Sequence, residues 1–116
     1  MAGWAGNQFP VVTISTDVGA ADRIFTFRVP FPCMVTRIMS AGDSVDNTDK
    51  FAAILKQGAT TLVTGTTITT PDVTIDDLAD QIYLAPNIDY SLTIDYSGTA
   101  ANVKGVMVVV WATAHK

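Results

Sequence analysis

The side chains that could carry covalent or acid–base chemistry are few. The chain has one thiol, Cys33, and one imidazole, His115, among 116 residues. A serine or cysteine nucleophile needs a base within hydrogen-bond reach. His115 stands beside the last residue, where a mobile tail is expected. Cys33 lies in an apolar run and reads as a small buried side chain rather than a nucleophile. All eleven acids are Asp, and Glu does not occur. Any acid/base or metal site would therefore have to be built from Asp alone. Asp43, Asp46 and Asp49 fall at three-residue spacing. A calcium loop of the EF type also needs oxygens at alternate positions, a central Gly and a distal Glu, so a solvated turn is expected. Asp72, Asp76, Asp77 and Asp80 form the densest acidic patch and read as surface charge. No Gly-rich phosphate loop is present. The Thr residues between Thr64 and Thr70 could meet a sugar or an ice lattice, but Thr is equally the ordinary outward residue of a strand. Trp4, Tyr83, Tyr90, Tyr96 and Trp111 could stack on sugar rings, although Tyr90 and Tyr96 share the apolar face of one segment. No catalysis, cofactor or metal is expected. Assembly is the leading function class, with carbohydrate or receptor binding as the alternative.

The elements that would position these residues are strands. Hydrophobic residues make up 48% of the chain and charged residues 16%, which excludes the composition of disorder. Thr and Val dominate while Glu is missing and Leu is sparse, the usage of pleated surfaces rather than helices. The net charge of −4 and the scattered Lys and Arg argue against direct nucleic-acid binding. A single Cys excludes an internal disulfide. Met1 to Gln8 lacks the charge and apolar core of a signal peptide, and no apolar run approaches the ~20 residues of a membrane span. A protein made and used without export is expected, with no membrane partner.

In chain order, residues 1–8 read as a Gly-rich arm and 9–116 as one domain. Phe9 to Ser15 is a first strand, with Pro10 placing it toward a sheet edge. Arg23 to Val29 is a second, its Phe25, Phe27 and Val29 on one face. Pro30 and Pro32 break the ladder, and Cys33 to Met39 resumes it. After the polar loop 41–49, Phe51 to Lys56 and Thr60 to Val63 form strands around a Gln57-Gly58-Ala59 turn. Thr64 to Thr70 suits a short strand pair. Val73 to Ile75 follows, then one helical turn over Asp76 to Asp80, where Asp can cap free amides, then a strand Gln81 to Leu84. Tyr90, Leu92, Ile94 and Tyr96 alternate with polar residues, the period of a half-buried strand. Val106 to Ala112 is apolar on both parities. These last two segments read as a terminal hairpin around Ser97 to Asn102. About eight short strands at such spacing indicate an all-β antiparallel sandwich or small barrel.

The double apolar parity of Val106 to Ala112 calls for cover on both faces. Met107, Val109 and Trp111 are the bulkier set and are assigned to the core. Val106, Val108 and Val110 then form an outward stripe that another subunit, or alternatively a loop or the N-terminal arm of the same chain, covers, since a bare stripe would invite aggregation. Trp4 in the arm and Phe9 just after it are further interface candidates, because aromatics anchor interfaces.

From Phe27 onward the chain resembles small jelly-roll proteins of tailed-phage head genes, described as decoration, cement or auxiliary capsid proteins. The likeness rests on Val29-Pro30-Phe31-Pro32-Cys33-Met34-Val35-Thr36-Arg37-Ile38, on the run from Phe51 to Ile68, on Leu78-Ala79-Asp80-Gln81-Ile82-Tyr83-Leu84, and on the two closing strands. Ala79 stands where that family commonly has Gly. The resemblance implies a jelly-roll-like β-sandwich of about eight strands that does no chemistry. It implies a structural virion protein, made in the host cytoplasm, that binds the major capsid protein on the outer surface of the head, commonly as a homotrimer. Each copy would bridge capsid subunits and stabilise the shell by mass action. The alternative reading is a carbohydrate- or receptor-binding sandwich of a head fibre.

Overall fold

The computed structural model describes residues 8–18, 21–99 and 103–115. Eight strands occur among them: β1 (Gln8–Thr16), β2 (Arg23–Phe27), β3 (Cys33–Ala41), β4 (Lys50–Gln57), β5 (Thr60–Thr64), β6 (Thr74–Leu84), β7 (Tyr90–Ser97) and β8 (Val106–Ala114). They form two antiparallel four-stranded sheets, in the orders β1-β8-β3-β6 and β2-β7-β4-β5. The fold is an all-β sandwich. Of the connections between consecutive strands, only that from β4 to β5 stays within one sheet. Gly58 makes that turn, with a φ of 59° that glycine adopts without the penalty a Cβ would bring.

Local chemistry sets several strand ends. Pro30 and Pro32 cannot donate to a ladder, so β2 stops at Phe27 and β3 starts at Cys33 in the opposite sheet. Pro10 lies on β1, an edge strand, where its missing N–H costs no pairing, and a bulge follows it before Val12. The interior is filled from both sheets. Val35, Ile38, Val106, Val108 and Val110 on one side face Phe51, Ala53, Leu55, Leu92 and Ile94 on the other, all fully buried.

Four sequence expectations are corrected here. β7 and β8 are not a hairpin, because they lie in opposite sheets and the chain crosses the sandwich between them. Each carries an apolar set that must be buried, and facing each other across the core buries both sets at once. Second, the parity of β8 is reversed. Val106, Val108, Val110 and Ala112 are fully buried, whereas Met107 is 42% exposed and Trp111 half-buried. Apart from Val109, buried at 6% exposure although it stands in an outer row, the compact side chains fit between the two sheets and the long ones stand outside. Third, no helical turn forms at Asp76 to Asp80, since β6 runs unbroken from Thr74 to Leu84. Pairing with β3 overrides the capping tendency of Asp. The ladder skips from Arg37–Asp77 to Val35–Ile82, so residues 78–81 bulge outward. Fourth, Thr64 to Thr70 is not a strand pair. It is a loop pinned by the Gly65 N–H to the Ala53 carbonyl at 2.8 Å and by a bridge between Ile68 and Phe51.

Candidate functional site

The residues able to do chemistry are not brought together. Cys33 is 1% exposed, and burial pushes its thiol pKa up. Alkylation of native protein by iodoacetamide should therefore be at least about a hundredfold slower than in urea, at a rate that follows local opening. Rapid modification of the folded protein would contradict this placement. His115 is exposed and makes two contacts, the first through its backbone N–H. Its N–H donates to the Pro32 carbonyl at 2.9 Å, and its ring meets the Tyr83 ring edge-on at 5.2 Å.

Asp46 acts on the backbone of its own loop, the 41–49 loop. Asp46 accepts the N–H groups of Thr48 and Asp49, both at 2.7 Å. Asp49, expected in a solvated turn, is 6% exposed instead. It accepts the Tyr96 hydroxyl at 2.7 Å and the Thr99 N–H at 3.1 Å, tying the loop to the end of β7. Asp76 accepts both the N–H and the hydroxyl of Thr66 and so clasps the Thr-rich loop. Among the described residues, no group of three His, Cys, Asp or Glu side chains could hold a metal ion.

What the fold does assemble is a surface. Register places four rows across the outer face of the β1-β8-β3-β6 sheet. They are Ser15–Met107–Ala41, Thr13–Val109–Met39–Ile75, Pro10–Trp111–Arg37–Asp77 and Gln8–Thr113–Met34–Tyr83. Side chains directly opposite on paired strands share a face and touch. Met34, Met39 and Met107, all the methionines of the described residues, stand here beside Val109, Trp111, Ile75 and Tyr83. Ile75 is 51% and Tyr83 48% exposed. One charged pair crosses the patch, Arg37 to Asp77 at 2.6 Å. Unbranched thioethers adapt their shape and pack well on aromatic rings, which suits a contact face.

The outer face of the other sheet has the opposite chemistry. Its rows run Thr26–Ser91–Lys56–Thr61 and Ile24–Thr93–Ile54–Thr64. A shallow depression of about 390 Å³ opens there between Ile24, Thr26, Lys56, Asp89, Ser91 and Thr93. At its margin Arg28 bonds Asp89 at 2.6 Å. This hydrogen bond and the attached charge hold the Asp89 carboxyl below its usual pKa.

The sequence-derived interface residues are thus redistributed. Val106, Val108 and Val110 lie in the core, out of reach of any partner. Phe9 is half-buried with its ring 5.5 Å from that of Phe31. Trp4 and residues 1–7 of the arm lie outside the described residues, while Gln8, expected as the last residue of the arm, opens β1 and pairs with Thr113. Of the aromatics considered for sugar stacking, Tyr90 is buried and accepts the Ala85 N–H, and Tyr96 is bound to Asp49. Sequence reasoning singled out β8 and left Met39, Ile75 and Met107, which stand on the outer face, unnamed as surface residues. The available signal was the long, flexible side chains on one parity of an otherwise Val-rich run.

Neither a protein-family model nor a curated protein matches the chain. Among solved structures, the crystal structure of dimeric latent PorU from Porphyromonas gingivalis is similar at 10% identity and a TM-score of 0.36. The match covers 85% of this chain and 10% of that one, so the chain spans about a tenth of its length. A likeness at that level carries no argument about fold or function.

Proposed function

We propose that the protein is a structural component of a tailed-phage virion, a jelly-roll decoration protein that docks on the outer surface of the head. The single observation that carries this reading is the concentration of methionine and other large apolar side chains on the outer face of one sheet, where the other sheet's outer face carries mainly hydroxyls. A lone sandwich in water has no use for such a concentration, whereas a subunit of an assembly does. The strand orders β1-β8-β3-β6 and β2-β7-β4-β5 support the jelly-roll reading, since eight antiparallel strands in two interleaved Greek keys pair in this way. The resemblance of the segments from Phe27 onward supports the capsid reading.

In this proposal copies of the chain pack through the apolar face into a homo-oligomer, a trimer, and the assembly binds the major capsid protein. It performs no catalysis and contacts neither nucleic acid nor membrane. Four strands spaced about 4.8 Å apart offer roughly 500 Å² on this face, which a three-fold assembly divides between the contacts to its two neighbours.

Met107→Lys combined with Ile75→Lys tests the proposal, because both side chains are exposed and neither holds the core. The expected result is an unchanged circular dichroism spectrum, conversion of the oligomer to monomer in sedimentation velocity, and loss of co-sedimentation with undecorated heads of the encoding virus. A wild-type protein that is monomeric and does not sediment with those heads would overturn it.

A further inference from the structure

The two sheets end side by side at β5 and β6, and their edges leave a groove open to solvent. It measures about 380 Å³ and is floored by Leu62 and Val63 of β5 and Leu78 and Ile82 of β6, all half-buried against the core. One end is closed by the clasp of Thr66 on Asp76. The bulge at 78–81 forms the outer wall. Both flanking strands are sheet edges, so their outward backbone groups are unpaired by any neighbouring strand of the sandwich.

The charge at this edge is one-sided. Asp72, Asp76, Asp77 and Asp80 stand on or just before β6, opposed by Arg37 on β3, so three of the four net negative charges of the chain lie here. No Lys or Arg occurs between Lys56 and Lys104. Two such edges repel each other, which excludes a second copy of the chain as the occupant. An apolar floor, free edge hydrogen-bonding groups and an acidic rim together select an extended segment that is apolar on one parity and basic on the other.

We propose that the β5–β6 groove docks an extended cationic segment of another protein. An apolar side chain of that segment fills the slot over Leu62 and Leu78, and a flanking Lys or Arg faces Asp80, since Asp77 is held by Arg37. The groove adjoins the apolar outer face at Asp77, which Arg37 holds, and the proposal does not depend on the capsid role.

The probe is the peptide acetyl-Lys-Leu-Lys-Val-Lys-amide, titrated into the isotope-labelled full chain at low salt and followed by amide chemical shifts. Saturable shifts confined to Leu62–Thr64 and Asp76–Ile82 are expected, weakening as salt is raised. The counterpart with Asp in place of Lys should produce none. Asp80→Lys, at an exposed bulge position, should retain the free-state spectrum and bind the basic peptide about tenfold more weakly. Should that variant not fold, Asp80→Asn is read instead, with a smaller loss. No saturable shift at the groove, or an affinity unchanged by both substitutions, would overturn the proposal.

Discussion

Val108→Lys leaves a chain without a cooperative unfolding transition, whereas Met107→Lys, its immediate neighbour, folds with a stability within about 1 kcal/mol of the parent. The contrast follows from one residue of parity. Val108 is fully buried, paired with Ile14 on one side and Ser40 on the other. An ammonium there must be desolvated without a partner or dragged out by opening the sheets. Either course costs several kcal/mol, against a total stability of roughly 5–15 kcal/mol for a domain of this kind. Met107 is 42% exposed and already at the surface, so a lysine there keeps its charge in water. Far-UV circular dichroism and thermal melts read both variants. A Val108→Lys protein that melts like the parent would mean that the face assigned to the core is the outer one.

Asp49→Ala is expected to lower stability by about 3 kcal/mol, the largest effect of any single aspartate outside the sheets. Among the described residues, the Tyr96 hydroxyl and the Thr99 N–H converge on this nearly buried carboxylate. Hydrogen bonds to a charged group contribute about 1.5–3 kcal/mol each. Asp95→Ala is the control, because that side chain is exposed on the outer face opposite Ala52, and its loss should cost under about 0.5 kcal/mol. Urea midpoints at constant slope give the comparison. Tyr96→Phe should cost about 1 kcal/mol, and combined with Asp49→Ala it should cost less than the sum, because the two substitutions remove a shared bond. A change for Asp49→Ala no larger than that for Asp95→Ala would show that the carboxylate does not hold the loop.

Composition and local pattern were sufficient for the class of fold. Thr and Val abundance, the alternation of Tyr90, Leu92, Ile94 and Tyr96, and the breaks at Pro30, Pro32 and Gly58 located strands and corners to within a few residues. Each of these signals is a property of a segment and its immediate neighbours. Pro removes an N–H wherever the chain later goes, and period 2 marks one buried face in any sandwich.

What only the tertiary structure decided is which strand meets which, and which face of β8 is inside. Ser97 to Asn102 has turn-forming residues whether the chain doubles back in one sheet or crosses to the other, so β7 and β8 looked like a hairpin. Both parities of Val106 to Ala112 are apolar, so hydrophobicity alone cannot orient that strand. Orientation comes from volume: the space between two sheets is about 10 Å deep and close-packed, and Val and Ala fill it opposite Leu92 and Ile94 where Met and Trp would not. The helical turn expected at Asp76 to Asp80 failed for a related reason. A capping side chain offers one or two hydrogen bonds, while pairing along β3 offers the backbone a partner on most of its length. The methionine face and the acidic β5–β6 groove are both consequences of that long-range pairing, and neither exists in any single stretch of sequence.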